Sequence, residues 1–296
     1  MPFIQTPNLR VHYRATGDGA TTVLLLHGNF GSWRWWQPVL DSMPPGWRAF
    51  APDLRGCGDT ERPEYGHNID TLAADVHAFV AALELAPVHV VGHSLGAAVS
   101  LQFALDHPQH VGSLTLVAPP PAEARSVVRN SDWLSHSVAR LFDVSEEMSV
   151  VALGATYRLL RHLGANRPML RRALMRLAPT LEYDNAFIEL VSDAARMAPQ
   201  AVVGHLQALD VWDVQVKLRS LAPPVLIVGG AQDVLIAPVD LTRFGRRLRR
   251  ARVLIWPDVG HAVQLEQPQR FVTTMTAFIE RSARPWWWRW MQALTP

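Results

Sequence analysis

The chain has 296 residues, enough for one large domain or for a domain that carries a sizeable insertion. Apolar residues make up 49% and charged residues 18% of the chain, which excludes an intrinsically disordered protein. The 28 basic and 26 acidic residues nearly cancel, so the net charge of +2 gives no reason to expect a nucleic-acid partner. Lys217 is the only lysine, which leaves little room for lysine-based covalent catalysis.

The single cysteine, Cys57, excludes an internal disulfide and a zinc site built from several cysteines. The first segment, MPFIQTPNLRVHY, has no charged stretch followed by an apolar one, so it does not resemble a secretory signal. No apolar run reaches the length of about 18 residues that a transmembrane helix needs. We therefore expect a cytoplasmic protein.

The first 120 residues alternate short apolar runs with amphipathic stretches, the pattern typical of parallel strands joined by helices. Strands are predicted at 9–13, 21–26, 47–51, 88–91 and 114–117. Helices are predicted at 69–83 and 95–105 because their apolar residues recur at helical spacing.

The strand pattern disappears between about 120 and 215. Four helices are predicted there, at 125–142, 145–163, 168–178 and 182–197. Strands return at 225–228 and 252–256, and further helices are predicted at 241–249 and 269–281. The pattern therefore indicates an α/β sheet that is interrupted by a helical insertion.

The segment GHSLG at 92–96 lies between a predicted strand, VHVV, and a predicted helix, LGAAVSLQFAL. In this context G-x-S-x-G is typical of a nucleophile elbow, a strand-to-helix turn so tight that glycine is needed on both sides of the serine. The turn places Ser94 at the N-terminus of a helix, where negative charge is stabilised. An ordinary turn with a glycine-flanked serine is the alternative, and the flanking strand and helix favour the nucleophile.

A serine nucleophile needs a base, and the base needs an acid that orients it. Asp233 follows the predicted strand VLIV, and His261 follows the predicted strand RVLIW, so both fall at strand ends. Three other acids compete less well, because they precede the strand or lie almost beside the histidine: Asp210, Asp213 and Asp258. We predict Ser94, Asp233 and His261 as the catalytic residues.

A substrate oxygen that gains negative charge needs N–H donors, the oxyanion hole. We predict the N–H groups of Leu95, directly after Ser94, and of Asn29 in the segment HGNF, with that of Phe30 as second choice. Aromatic residues and methionines near this segment and in the helical insertion favour an apolar substrate pocket, although most such side chains pack a core. The predicted substrate contacts are Phe30, Trp35, His93 and Trp133.

Five segments in order, LLLHGNF, APDLRGCGDT, VGHSLGAAVSLQFAL, GGAQD and GHAVQLEQP, resemble the α/β-hydrolase superfamily. More narrowly, they resemble its capped carboxylesterase, lactonase and epoxide-hydrolase-like branch. The resemblance covers roughly residues 1–120 and 215–282. It implies a mostly parallel eight-stranded sheet with helices on both faces and a helical cap inserted after strand 6. The hydrolase core would comprise residues 1–120 and 213–296, and the cap, or lid, residues 121–212.

The resemblance also separates this chain from neighbouring activities of the superfamily. Epoxide hydrolases and haloalkane dehalogenases use an aspartate nucleophile, whereas position 94 is a serine. Hydroxynitrile lyases use a lysine near the site, and no lysine follows Asp233 here. The resemblance therefore implies a serine esterase that needs neither a metal nor a cofactor and acts on carboxylic esters with an apolar acyl or aromatic part.

Four alternatives remain open. A lactonase, a C–C bond hydrolase or a perhydrolase would use the same three catalytic residues. A binding protein derived from a hydrolase would bind ligands without turnover, and the presence of all three catalytic residues argues against it.

The C-terminal segment RPWWWRW at 284–290 is not explained by the resemblance. Three successive tryptophans cannot all enter one groove of a core, since each residue turns a helix by about 100°. We favour docking of this tail on its own chain or on a second copy. Contact with a membrane surface is the less favoured alternative.

Overall fold

The computed structural model describes residues 2–123, 139–142 and 150–283. In this part of the chain eight strands form one sheet in the order β1-β2-β4-β3-β5-β6-β7-β8. Strand β2 is antiparallel to β1 and β4, and all other pairs are parallel. The strands are β1 (Phe3–Gln5), β2 (Arg10–Thr16), β3 (Thr21–Leu26), β4 (Trp47–Pro52), β5 (Val88–His93), β6 (Val111–Val117), β7 (Val225–Gly230) and β8 (Ala251–Trp256).

Helices connect the strands of the core and fill the insertion between β6 and β7. The core helices are α1 (Gln37–Asp41), α2 (Ile69–Ala82), α3 (Leu95–Asp106), α8 (Pro238–Arg247), α9 (Val263–Glu266) and α10 (Pro268–Ala283). The insertion contains α4 (Val150–His162), α5 (Arg167–Leu177), α6 (Asn185–Arg196) and α7 (Pro199–Val211), together with helical residues at 139–142. We call α4 to α7 the cap helices.

The central strands bury both of their faces, which is why they are continuous apolar runs. Along β3, Leu24 and Leu26 pack into one hydrophobic cluster with residues of α2, α3, α8 and the cap helices. Val23 and Leu25 point the other way, into a second cluster with residues of α1 and α10. The predicted fold, a mostly parallel eight-stranded sheet with helices on both faces and a helical cap after strand 6, is confirmed.

Four of these elements were not predicted: β1, α1, α7 and α9. Strand β1 has only three residues at the sheet edge and carries little apolar pattern, and α1 and α9 have only five and four residues. Helix α7 was missed because only Val202 and Leu209 on its buried face have larger apolar side chains, beside Ala201, His205 and Ala208. Within the described ranges, no helix is long and apolar enough to cross a membrane.

Candidate active site

The turn between β5 and α3 holds Ser94 in a strained backbone conformation. Its φ of 52° and ψ of −115° lie outside the regions that non-glycine residues favour. The Ser94 N–H donates to the carbonyl of Val117 at 2.9 Å, which ties the turn to β6. A Cβ atom on Gly92 would overlap the carbonyl oxygen of Gly96, and one on Gly96 would overlap that of Leu26. The two glycines are therefore needed for the turn to form.

Asp233 and His261 form a buried pair at the ends of β7 and β8. Asp233 Oδ2 lies 2.8 Å from His261 Nδ1, and the two side chains are 0% and 2% exposed. Asp233 Oδ1 accepts the N–H groups of Leu235 at 2.8 Å and Ile236 at 3.0 Å. Because an ionised carboxylate only accepts hydrogen bonds, Nδ1 of His261 carries the proton. Its Nε2 is then left with a free lone pair, as a general base requires.

The backbone of His261 is also fixed from two sides. Its N–H donates to the carbonyl of Leu177, at the end of cap helix α5, at 2.7 Å. Its carbonyl accepts from Nε2 of His93 at 3.1 Å, and the two rings meet edge to face, 4.8 Å apart. His93 directly precedes Ser94. This contact therefore joins the loop that carries His261, called here the histidine loop, to the turn that carries Ser94, called the serine turn. Among the described residues no hydrogen bond joins Ser94 to His261, which is common in enzymes without substrate.

Of the predicted substrate contacts, His93 and Trp35 lie together beside the histidine loop. The Trp35 ring stacks on the His93 ring, with centroids 5.1 Å apart. Burial, followed by repulsion from His261, lowers the pKa of His93 well below its ordinary value. His93 is therefore neutral at pH 7, which fits its role as a single N–H donor to the His261 carbonyl.

The HGNF loop makes a tight turn next to Ser94. Gly31 N–H donates to the Gly28 carbonyl at 3.1 Å, and Phe30 has a φ of 59°. The Phe30 N–H donates to Asn29 Oδ1 at 3.0 Å, whereas the Asn29 N–H makes no hydrogen bond to a described residue. A Cβ atom on Gly28 would lie 3.2 Å from Cβ of Ser94, so this loop passes directly over the serine. Leu95 is the first residue of α3, where backbone N–H groups lack a helical partner.

Asn29 is held by its side-chain oxygen. Besides the Phe30 N–H, Asn29 Oδ1 is 3.3 Å from Nδ1 of His205 on cap helix α7, while Asn29 Nδ2 is buried without a hydrogen bond to a described residue. Burial lowers the pKa of His205 well below its ordinary value, and the neighbouring His67 adds to the effect. The position of His205 was not predicted, because a histidine in a weakly amphipathic helix gives no local signal.

A small apolar cavity of about 30 Å³ lies between the HGNF loop and the cap. Phe30 and Trp35 line it from the core, and the described part of the cap supplies apolar side chains, among them Leu170, Leu174, Leu177 and Val191. Its volume is that of about one water molecule. As the described residues enclose it, this cavity holds no molecule much larger than water.

A charged cluster around Asp193 joins cap helix α6 to the segment after the HGNF loop. Asp193 Oδ2 accepts from Ser32 Oγ at 2.6 Å and from Arg34 at 2.9 Å, and its Oδ1 accepts from Arg196 at 2.5 Å. Burial alone would raise the pKa of Asp193, but Ser32, Arg196 and Arg34 outweigh it and hold the pKa below its ordinary value. No local pattern predicts this cluster, because Ser32 and Asp193 lie 161 residues apart in the chain.

The remaining predicted residues lie outside this arrangement. Trp133 and the tail at 284–290 fall outside the described residues. The three rival acids are all exposed, unlike the side chain of Asp233: Asp210, Asp213 and Asp258.

Three histidines form a separate group, one within α2 and two just beyond the end of α3. The rings of His77 and His107 stack 3.7 Å apart and only 6° from parallel, and His110 lies 5.2 Å from His77 at 14°. One nitrogen of each lies within 4.8 Å of the others, which makes this the one group in the described ranges with three metal-ligating side chains. Ring lone pairs lie in the ring planes, so nearly parallel rings do not converge on one ion. The group is a stack and not a formed metal site.

Comparison with known proteins identifies the family. A family model described as the alpha/beta hydrolase fold matches residues 21–268. The chain belongs to the α/β-hydrolase fold family. This membership confirms the resemblance found in the sequence and, together with esterase-like relatives, supports a hydrolase.

Three similar proteins illustrate the range of this family. A pimeloyl-[acyl-carrier protein] methyl ester esterase from Neisseria meningitidis serogroup B is 28% identical over 275 residues, covering 90% of this chain and 96% of the relative. The structure of an enol-lactonase from Burkholderia xenovorans superposes with a TM-score of 0.75 at 17% identity, covering 94% and 100%. The structure of a bromoperoxidase from Bacillus anthracis gives a TM-score of 0.75 at 18% identity, covering 92% and 96%. The two structures show the shared fold.

Proposed function

We propose that this protein is a cofactor-free serine hydrolase that cleaves carboxylic esters through Ser94, His261 and Asp233. The observation that carries the proposal is the buried hydrogen bond between Asp233 and His261, at 2.8 Å, beside the strained turn of Ser94. A fixed imidazole with a free Nε2, next to a serine at a helix N-terminus, is suited to nucleophilic catalysis. The esterase named among the similar proteins supports the same chemistry.

In the first half of the reaction Ser94 Oγ attacks the ester carbonyl carbon, and His261 Nε2 takes the hydroxyl proton. Asp233 stabilises the imidazolium that forms. The carbonyl oxygen becomes an oxyanion, and we assign its stabilisation to the N–H groups of Asn29 and Leu95. The Phe30 N–H already donates to Asn29 Oδ1, so the Asn29 N–H is the better candidate for the oxyanion donor from the HGNF loop.

The tetrahedral intermediate then collapses, the bond to the alkoxy oxygen breaks, and His261 gives its proton to the departing alcohol. Ser94 is left as an acyl ester. Water attacks this ester while His261 acts again as the base, and the second collapse releases the acid and restores the serine. Each half of the reaction uses the same three residues and the same oxyanion donors.

The substrate that this site suits best has an apolar acyl or aromatic part. Phe30 and Trp35 line the apolar cavity beside the loop that carries His261, and no charged side chain of the described residues lines it. Burying an ionised substrate group there would leave its charge without a partner, which is costly. Lactones, C–C bonds and peroxide could be handled by the same three residues, so a substrate panel has to separate these activities.

The proposal is tested with Ser94→Ala and a series of p-nitrophenyl esters of increasing chain length, alongside a panel of lactones. We expect kcat to fall by about 10⁶, by analogy with serine proteases that lose their nucleophile. We also expect stoichiometric labelling of the unaltered protein, and not of Ser94→Ala, by an organophosphate. Turnover by Ser94→Ala close to that of the unaltered protein would refute the assignment.

A further inference from the structure

The end of cap helix α5 and the loop that carries His261 are joined by one carboxylate. Oε1 of Glu266 accepts the N–H of Gly260 at 2.8 Å, on the residue directly before His261. Its Oε2 accepts the hydroxyl of Thr180 at 2.8 Å and the N–H of Thr180 at 3.3 Å, just beyond the end of α5. The Glu266 side chain therefore binds both segments, one through each carboxylate oxygen.

The same two segments touch directly. The N–H of His261 donates to the carbonyl of Leu177 at 2.7 Å. A Cβ atom on Gly260 would lie 2.5 Å from that carbonyl oxygen and 2.6 Å from Cδ of Pro179, so only glycine allows the approach. The His261 loop is thus packed against the last turn of a cap helix, not only against the core.

Helix α5 also forms a wall of the apolar cavity. Leu170, Ala173, Leu174 and Leu177 line it from successive turns of the helix. The cavity of about 30 Å³ must enlarge before an ester can occupy it. The Leu177 carbonyl and Glu266 join α5 to the loop that carries His261. A movement of α5 that enlarges the cavity therefore also displaces His261.

We propose that Glu266 is a positioning residue that couples the docking of the cap to the placement of His261. This inference rests on the proposed function of the site. With α5 docked, Glu266 and Leu177 hold Gly260 and His261 in the position where Nδ1 reaches Asp233; with α5 displaced, both constraints weaken together. Ester hydrolysis is then most efficient when the cap closes again over the bound substrate.

A carboxylate is suited to this place because it only accepts hydrogen bonds. The surrounding groups offer three donors: the N–H of Gly260 and the N–H and O–H of Thr180. A glutamine would keep one acceptor oxygen but would turn an NH₂ group toward one of the two segments. Glu266→Gln should therefore preserve part of the coupling, whereas Glu266→Ala removes it.

The experiment compares Glu266→Ala, Glu266→Gln and Thr180→Val with the unaltered protein, using p-nitrophenyl esters. Glu280→Ala, which removes an exposed glutamate of α10 that makes no hydrogen bond or ion pair to a described side chain, is the matched control. For Glu266→Ala we expect kcat to fall roughly 10- to 100-fold with little change in KM, since displacement of a catalytic group by about 1 Å costs this much. Glu266→Gln should recover part of the loss, and Thr180→Val should lose less than Glu266→Ala.

Two further measurements distinguish positioning from general stabilisation. The rate at which an organophosphate labels Ser94 should fall in Glu266→Ala in proportion to kcat. Amide hydrogen exchange should rise at 259–266 and 177–181 in that variant, and at 177–181 in Thr180→Val, with the rest of the protein unchanged. In the double variant, the kcat loss should be no greater than in Glu266→Ala alone, because both substitutions cut the same connection.

The outcomes separate this inference from the proposed function. If the unaltered protein neither hydrolyses esters nor is labelled by the organophosphate, the proposed function itself fails. If it does both, and Glu266→Ala and Thr180→Val keep its kcat and labelling rate, only the coupling is refuted. Should Glu266→Ala not fold, wild-type kcat in both Glu266→Gln and Thr180→Val refutes the coupling in the same way.

Discussion

The core and the cap of this protein hold their functional residues by different means. In the core, backbone geometry places Ser94 between two glycines, and strand ends place Asp233 and His261. In the cap, side chains make the connections, through Asp193 on α6 and through Thr180, bonded to Glu266, beyond α5. The comparison teaches that sheet and turn geometry places the proposed catalytic residues, whereas a few separable polar contacts join the cap to the core and, through Glu266, to the loop that carries His261.

The largest effect should come from the core pair. Asp233→Asn should lower kcat about 10⁴-fold, by analogy with serine proteases, because the amide no longer holds His261 with its proton on Nδ1. The fold should persist, since the new side chain has the same size. Steady-state kinetics check the prediction, and Asp258→Asn, at an exposed acid near the histidine, is the control. A comparable loss in Asp258→Asn would show that Asp233 has no special role.

Stability should respond strongly to a change in the serine turn. Gly96→Ala places a Cβ atom against the carbonyl oxygens of Leu26 and His27, which cannot rotate away, and should cost about 3 kcal/mol of unfolding free energy. Urea denaturation measures it. Gly112→Ala is the matched control, because the nearest atom there belongs to the side chain of His89, at 3.0 Å. Equal destabilisation by the two substitutions would contradict the need for glycine at position 96.

Disruption of the charged cluster around Asp193 should have a smaller effect on stability than Gly96→Ala, and a larger effect on substrate binding. Asp193→Ala should cost about 2 kcal/mol, less than a fully buried ion pair, because the arginine partners are partly exposed. KM should rise because α6 no longer docks beside the cavity. Glu189→Ala, which removes an exposed partner of Arg34, is the control and should change stability by less than about 1 kcal/mol. An unchanged KM in Asp193→Ala would show that the charged cluster around Asp193 does not affect substrate binding.

Mild acid should weaken core and cap together. Burial lowers the pKa of His27 and His93 in the core and of His205 in the cap below the ordinary value of 6.5. The unfolded chain therefore binds more protons than the folded one, so stability is complete above about pH 6.5 and falls as the pH drops. The urea midpoint should be lower near pH 5.5 than near pH 7.5. A constant midpoint over this range would mean that the folded and unfolded chains bind equal numbers of protons, which contradicts lowered pKa values of these histidines.

Prediction from sequence was most successful where a local pattern has one structural solution. The run TTVLLL is typical of a strand buried on both faces, and GHSLG between a strand and a helix is typical of a tight turn. Prediction was weakest where burial is not matched by large apolar side chains, as in α7 with its buried His205 and alanines. Sequence patterns also did not predict the shape of the apolar cavity, because its walls come from segments that are far apart in the chain.

The sequence by itself determined the α/β pattern with its helical insertion and the strand-end positions of Ser94, Asp233 and His261, because apolar periodicity and glycine spacing act over a few residues; the family resemblance added the eight-stranded topology. Only the tertiary structure decided which residues support these three. Ser32 meets Asp193 across 161 residues of chain, and Thr180 meets Glu266 across 86. The packing of the cap brings these polar pairs together, and no local pattern encodes a contact between residues so far apart in the chain.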